Sequence, residues 1–502
     1  MSRKQKRKNE QPEPVETPQE IILRRSKALL EEKDYQALLG ELNQPLRNAI
    51  RINPLKIACT ADQMADQLSQ KYGWSLERIP YCDYGWWVEG DSQNVGQTWE
   101  HRLGMYYVQD ASSMLPVELF DFYPDNSSQP LILDMAASPG GKTTHIISKT
   151  GDQGFVLAND ASQERITALR LILQTWGSIN HAITQFPGEK FGQWFPETFD
   201  AVLLDAPCSM QNLRSTEARP MRTITAREEQ SLSQRQKKLL ESALLSARVG
   251  GQIVYATCTL MPEEDEQVVD WLLKKYPNAV KVEDRQYQLP QPAPALANDE
   301  LNVFEPDVQK AIRVWPHRFR SSGFFCVRLT KTNTTSGKRS DPPRFDIFHT
   351  DFSPLDSKSQ QDLGKFFNDH FQVDLQTILD EENLSLWMMK QHVIAFPQRY
   401  FDVFIDLPLR SIGLPVASIN VETWQPDHHW VSRFFRQFKT SSIKLPDEFT
   451  QPWVRGDDIP LKIPDAENGQ VLIFHSSDQL FMGIGRQMQN GVKNLLPKRM
   501  VL

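Results

Sequence analysis

The sequence predicts an α/β protein whose core is a mostly parallel sheet covered by helices on both faces. Three observations predict it. Strand-like apolar runs alternate with amphipathic helical stretches between Leu131 and Lys331. Runs such as LILDM and FDAVLLDAP are too continuously apolar to keep one face in water. Each run ends in acidic, small or cysteine residues, and ligand sites of parallel sheets lie at the carboxyl ends of the strands.

The 502 residues leave room for several domains. Residues 1–20 read as a disordered arm, with Arg3, Lys4, Lys6, Arg7 and Lys8 followed by a Pro/Glu run that cannot bury a core. Residues 21–102 read as a small α+β extension: Ile22, Leu23, Leu29 and Leu30 at helical spacing, a turn at Glu31–Asp34, then a strand in Ala49–Ile57 interrupted by Pro54.

The core spans residues 103–331. Leu131–Ile147 reads as strand, small-residue loop and helix. Gly154–Asp160 is a second strand closed by an acid, and Ser162–Leu173 an amphipathic helix. Phe199–Cys208 is a third strand. Leu232, Leu239, Leu240, Ala243, Leu244 and Ala247 mark a helix face that Gly250–Gly251 ends. Gln252–Leu260 is another strand, and Pro262 with early acids opens a helix over Pro262–Tyr276. Ser321–Lys331 closes the sheet. Residues 332–350 form a polar linker, residues 351–445 an intermediate domain, and residues 446–502 a terminal unit of short strands.

The net charge of -7, from 56 basic and 63 acidic residues, argues against binding nucleic acid by bulk charge and leaves only local basic patches. Five cysteines, Cys59, Cys82, Cys208, Cys258 and Cys326, stand far apart with no CxxC pair, so neither a disulfide framework nor a structural metal site is expected. No run approaches the length of a membrane span. A cytoplasmic monomer without membrane partners is the expectation.

The loop Ala136, Ala137, Ser138, Pro139, Gly140, Gly141, Lys142 lets a ligand approach backbone at a helix start. It is not a Walker A loop, because Ala136 stands where that pattern needs glycine. Asp160 occupies the place where an acid accepts ribose hydroxyls. S-adenosylmethionine carries both a ribose and an amino-acid carboxylate; an ordinary βα turn fits the same residues equally well. A cysteine in an apolar sheet is usually inert packing. Two of them at strand ends, Cys208 after Asp205-Ala206-Pro207 and Cys258 in Ala256–Thr259, suggest a thiolate nucleophile with an assisting group.

The set AASPGGKT, LLDAPCS, YATCTL and WPHRFRSSGFF, with YYVQDASSMLP before it, resembles the Sun-type family of RNA 5-methylcytosine methyltransferases over Arg51 to Lys331. The C-terminal tail MGIGRQMQNGVKNLLP is similar to the PUA-like RNA-binding module of small-subunit ribosomal RNA members. The resemblance implies a Rossmann-like S-adenosylmethionine-dependent core and an N-terminal RNA-binding extension. It implies that Ala136–Lys142, Asp160, Arg165 and Asp205 serve the cofactor. Asp205 would meet the target base's ring nitrogen, Cys258 would attack carbon 6, and Cys208 would assist release. The RNA partner it implies is 16S rRNA in the small ribosomal subunit or its precursor. A transfer RNA methyltransferase and a non-catalytic assembly factor are the rival readings.

Two departures from the family stand out: Pro187 where it often has an aspartate, and Met210 where it has a turn glycine. Arginines 214, 219, 222 and 227, with Arg313, His317, Arg318 and Arg320, flank the pocket and are expected to meet phosphates. So are Arg486, Lys493, Lys498 and Arg499 in the acid-free tail.

Overall fold

A computed structural model describes residues 17–90, 92–122, 129–214, 223–344, 347, 351–420 and 423–502. The Arg3–Lys8 stretch and Arg219 and Arg222 lie outside the described residues. The first helix, Pro18–Leu29, starts inside the stretch read as an arm, because Thr17 and Glu20 form a reciprocal capping box. The expected turn at Glu31–Asp34 is mostly helix: a second helix covers Glu32–Leu42. Four short strands follow: β1 (Asn48–Ile52), β2 (Ser75–Arg78), β3 (Gly85–Glu89) and β4 (Tyr106–Val108), an antiparallel sheet in the order β2-β3-β1-β4.

The core sheet contains β5 (Leu131–Asp134), β6 (Phe155–Asn159), β7 (His181–Thr184), β8 (Phe199–Asp205), β9 (Ala247–Thr257), β10 (Val280–Glu283), β11 (Ile312–Val314) and β12 (Phe324–Lys331). Its order is β10-β12-β9-β8-β5-β6-β7, with β11 on β12. β5 to β9 run parallel, and β12 runs antiparallel to both β9 and β10. The chain begins at the central strand, builds outward through β6 and β7, then returns to the other side of β5. That reversal opens a crevice at the carboxyl ends of β5 and β8. Strand residues alternate between two cores: Leu133, Leu157, Val202 and Leu204 face Leu239, Leu244 and Val268, whereas Ile132, Val156 and Leu203 face Ile146, Leu169 and Leu173. This two-sided burial is why the strands read as unbroken apolar runs. The helix expected over Pro262–Tyr276 begins only at Glu266, because Glu264 and Asp265 turn inward to buried partners.

Beyond the core, β13 (Phe352–Pro354), β14 (Leu384–Met389), β15 (His392–Pro397), β16 (Ser411–Ile412), β17 (Leu414–Asn420) and β18 (Thr423–Pro426) follow. All but β16 form an antiparallel sheet; β16 pairs with β7 and extends the core sheet itself. Phe404 packs 5.9 Å from Phe155 and 5.3 Å from Phe195, so this unit is anchored on the core. The terminal unit holds β19 (Ser442–Lys444), β20 (Val471–His475), β21 (Phe481–Met488) and β22 (Gly491–Asn494). Its Trp453, Phe474 and Met482 share one apolar cluster with Ile50, Ile52 and Trp86 of the N-terminal sheet. Among the described residues no helix is long and apolar enough to cross a membrane.

Candidate active site and cofactor cleft

The loop after β5 is tied down from behind. Ala137 N–H donates to the Asn159 carbonyl at 2.7 Å, and the Asn159 amide donates to Met135 O at 3.1 Å and Phe186 O at 2.9 Å. Asp160 accepts from the backbone N–H groups of Ser138 at 3.2 Å and Ser162 at 2.9 Å, and pairs with Arg165 at 3.5 Å. Arg165 in turn donates to the Ser138 carbonyl. The glycines are needed here. Gly140 has φ +119°, where side chains are strained, and a Cβ on Gly141 would meet the Tyr107 ring at 3.0 Å.

A cavity of about 400 Å³ opens in front of this loop. Ala136, Ala137, Ser138, Pro139, Gly141, Lys142, Asp205 and Cys258 line it. Gly140, Asp160, Arg165 and Cys208 are not part of that lining: Asp160 and Arg165 brace the loop, and Cys208 touches the lining residue Cys258. Sequence reasoning missed Asp134, Arg47, Tyr107, Ser113 and Phe324, which also line the cavity. Asp134 left a signal as an acid closing an apolar strand, and Tyr107, Ser113 and Phe324 lie within the family-like segments YYVQDASSMLP and WPHRFRSSGFF; Arg47 left none.

Asp134 tests whether the cleft fits a cationic cofactor. Its Oδ2 accepts from Thr143 Oγ1 at 2.6 Å, while Oδ1 is buried without a hydrogen-bond partner. Burial pushes the carboxyl up to about 7, against the Thr143 hydrogen bond and with help from nearby Asp205. A buried carboxylate oxygen with no donor calls for a ligand that brings positive charge or an N–H. S-adenosylmethionine, with its ammonium and sulfonium groups, fits that requirement.

The reactive end lies on β8 and β9, which run side by side with Asp205 opposite Ala256. The chains leave both strands together, so Cys208 Sγ lies 3.2 Å from Cys258 Sγ. The Cys208 thiol is pushed well above its ordinary value, first by its hydrogen bond with Cys258 and then by burial. Glu264 fixes the segment: it accepts from Ser209 N–H at 2.9 Å and from Gln236 Nε2 at 2.8 Å, as well as from the Ser209 hydroxyl. Gln236 also donates to the Pro207 carbonyl at 2.9 Å. Beside the thiols, Lys142 Nζ donates to Asp205 Oδ2 and Ser113 Oγ, both at 2.8 Å. Burial works against the Lys142 charge, but the Asp205 carboxylate outweighs it and holds the ammonium above its ordinary value.

Several expected phosphate contacts are spent inside the protein. Arg313 is fully buried: its Nε donates to Glu266 Oε1 at 2.7 Å and its Nη1 to Leu260 O at 3.0 Å. Arg214 donates to Gln44 O at 2.7 Å and pairs with Glu41 at 2.7 Å, closing the N-terminal helices onto the core. Arg318 pairs with Asp34 and is part-exposed, while Arg320, paired with Glu89, and Arg227, in the first turn of the helix Ala226–Ser246, are exposed.

Residues 122–330 match the family model of 16S rRNA methyltransferase RsmB/F, and residues 18–111 that of the N-terminal domain of 16S rRNA methyltransferase RsmF. A ribosomal RNA small subunit methyltransferase F from Cronobacter sakazakii is 32% identical over 467 residues, covering 92% of each chain. The chain belongs to the RsmF-type 16S rRNA methyltransferase family. A Shigella boydii member is 30% identical, covering 96% of each chain. Residues 441–501 of this RsmF-type chain match the C-terminal part of pseudouridine synthase II TruB, so the terminal unit is PUA-like. Among solved structures, a methyltransferase homolog from Pyrococcus horikoshii matches with TM-score 0.52 at 28% identity, covering 61% of this chain and 92% of that one. NSun6 from the same organism, solved with SFG, an S-adenosylmethionine analogue, matches in fold with TM-score 0.50 at 21% identity, covering 64% of this chain and 98% of that one. RsmF-type proteins are S-adenosylmethionine-dependent methyltransferases with a Rossmann-like core, and this chain is one of them.

Proposed function

We propose that the protein methylates carbon 5 of a cytosine in 16S rRNA of the small ribosomal subunit or its precursor, through a transient bond between Cys258 and the base. The observation that carries this reading is the pair of thiols 3.2 Å apart beside the Lys142–Asp205 pair at the sheet's switch point. Names of relatives identical at 32% and 30% over nearly the whole chain support the substrate.

When bound, S-adenosylmethionine supplies an electrophilic methyl group, and Asp134 with the Ala136–Lys142 loop, braced by Asp160 and Arg165, would hold it. The chain's residues do the rest. The Cys258 sulfur gives its electron pair to carbon 6 of an extruded cytosine, which makes carbon 5 nucleophilic. The proton displaced from the Cys258 thiol would pass through Asp205 to the ring nitrogen, neutralising the charge that builds there, while Asp205 accepts from the exocyclic amine and Lys142 donates with its N–H. Release requires carbon 5 to lose its proton and the sulfur–carbon bond to break. A base takes the carbon 5 proton, the C–H electrons re-form the ring double bond, and the Cys258 sulfur leaves with the electron pair of its bond to carbon 6; Cys208 Sγ, 3.2 Å from that sulfur, would assist this step.

The PUA-like unit would engage RNA away from the cleft through exposed Lys493 and Lys498, whereas half-buried Arg486 donates to Gln425 Oε1 at 2.7 Å and Arg499 lies 2.6 Å from His429 Nε2. The overall acidity favours an enzyme that depends on the shape of its particle rather than on bulk attraction, and its five free cysteines fit a reducing, cytoplasmic home. The test uses small ribosomal subunits from cells lacking the gene, purified protein and labelled S-adenosylmethionine. Label is expected at one cytosine that bisulfite sequencing reads as 5-methylcytosine. Labelling of transfer RNA instead would redirect the substrate.

A further inference from the structure

Met210 sits where the backbone does not favour a side chain. Its φ is +59°, a left-handed conformation that glycine adopts freely and a bulky residue adopts only at a cost. The residues on either side hold it there. Ser209 is buried on Glu264, and the carbonyl of buried Gln211 accepts from Leu260 N–H at 3.1 Å. The Asn212 carbonyl accepts from Gly323 N–H at 2.9 Å. On this pinned turn Met210 is turned outward: its surface is 42% exposed, and it lines the cavity mouth next to Ser209 and Cys258. An exposed, apolar, conformationally costly residue is not explained by packing.

We propose that Met210 is a positioning residue for the target base, its thioether filling the gap in the RNA stack that the extruded cytosine leaves. The inference rests on the proposed base-modifying function of the cleft. The chemistry suits it. Unstacking and extruding a base is uphill in free energy, and apolar wedges, methionine among them, hold nucleic acids open by inserting at the vacated step. The polarisable sulfur packs well against aromatic rings. A rigid turn presents it without further loss of freedom on binding.

The test compares wild type with Met210→Gly, Met210→Gln and Met210→Leu on small ribosomal subunits from cells lacking the gene. The glycine variant suits the turn better, so its melting temperature is expected to hold or rise. The glycine and glutamine variants are expected to lose kcat by about tenfold, roughly 1.4 kcal/mol, with KM for the subunits and Kd for S-adenosylmethionine within twofold. Met210→Leu is expected to keep kcat within twofold. The inference is overturned if the glycine variant keeps wild-type kcat, if its loss appears in KM alone, or if glutamine performs as well as leucine. Wild type that fails to methylate the subunits overturns this inference together with the proposed function, whereas active wild type with an unaffected glycine variant overturns this inference alone.

Discussion

Two thiol-bearing clusters touch the same helix, Gly141–Lys149, and they differ in what surrounds them. At its start, Lys142 faces Asp205, the Cys208–Cys258 pair and an open cavity. Further along, His145 and Lys149 face Cys82 and Glu118, with His145 and Cys82 buried and Lys149 and Glu118 partly exposed. Cys82 Sγ lies 3.8 Å from His145 Nε2, which is 2.9 Å from Glu118, and Lys149 reaches Glu118 at 2.5 Å. Ligand atoms of Cys82, Glu118 and His145 lie within 4.8 Å of one another, a spacing that a metal site also has. Yet Lys149 already neutralises Glu118, and the buried Arg51 guanidinium faces Cys82, a poor setting for a further cation. Burial and Arg51 hold His145 down to about 4, so its imidazole is neutral at pH 7. The first cluster leaves one Asp134 oxygen without a donor and opens to ligands; the second pairs its charges with one another. The difference is one of access and of unspent charge, not of residue type.

That contrast can be broken most severely at Cys258. Cys258→Ala is expected to lower methylation by at least about a thousandfold, roughly 4 kcal/mol of transition-state stabilisation, while Cys82→Ala changes the rate less than twofold. A filter assay of labelled methyl transfer measures both. Next in size is the acid stability of the Glu118 cluster. Burial opposes the Glu118 charge, but the His145 hydrogen bond and the Lys149 charge, joined by the His145 charge once that imidazole protonates near pH 4, overcome it and bring the carboxyl from 4.5 down to about 2. Its stabilisation is therefore complete above about pH 4.5 and is lost as the pH falls toward 2, worth about 3 kcal/mol for the whole shift. Urea unfolding of Glu118→Gln should show that loss at pH 7 and a shallower acid limb.

Asp134 sharpens the other side of the comparison. Its carboxyl is raised to about 7 by burial, so below that pH it is mostly protonated in the free enzyme. A cationic ligand favours the ionised form, so S-adenosylmethionine affinity should rise with pH, by up to about tenfold per unit, and level off above about 7. Calorimetry in two buffers of different ionisation heat should detect proton release at pH 6. Asp134→Asn should weaken binding and flatten the profile. The smallest effect is on stability at Cys82: Cys82→Ala should cost about 1 kcal/mol or slightly more, as a small cavity in a packed core does.

Local pattern made much of this legible. The strand–loop–helix around Ala136–Lys142, the acid at Asp160 and the two strand-end cysteines were readable because strand period and turn chemistry are local. Arg313 was not: read as an RNA-facing cation, it lies buried on Glu266 and Asp265, whose acids look from sequence like a helix start. Arg214 is spent on Glu41, a partner 173 residues away that no periodicity reveals. The pairing of β16 with β7 is equally non-local, since two residues beyond a polar linker carry no signal of joining the core sheet. Asp134 was visible as an acid, but its unpartnered oxygen emerges only when the sheet, the loop and Thr143 are placed together.

The central claim is that the open thiol pair divides attack from release. Covalent trapping on RNA carrying 5-azacytosine, resolved by denaturing gel and mass spectrometry, tests it most directly. The account predicts a Cys258-linked adduct with wild type, none with Cys258→Ala, and an adduct that accumulates on ordinary cytosine RNA with Cys208→Ala. Absence of any adduct with wild type under conditions where S-adenosylmethionine binds, or equal loss without trapping in both variants, would contradict it.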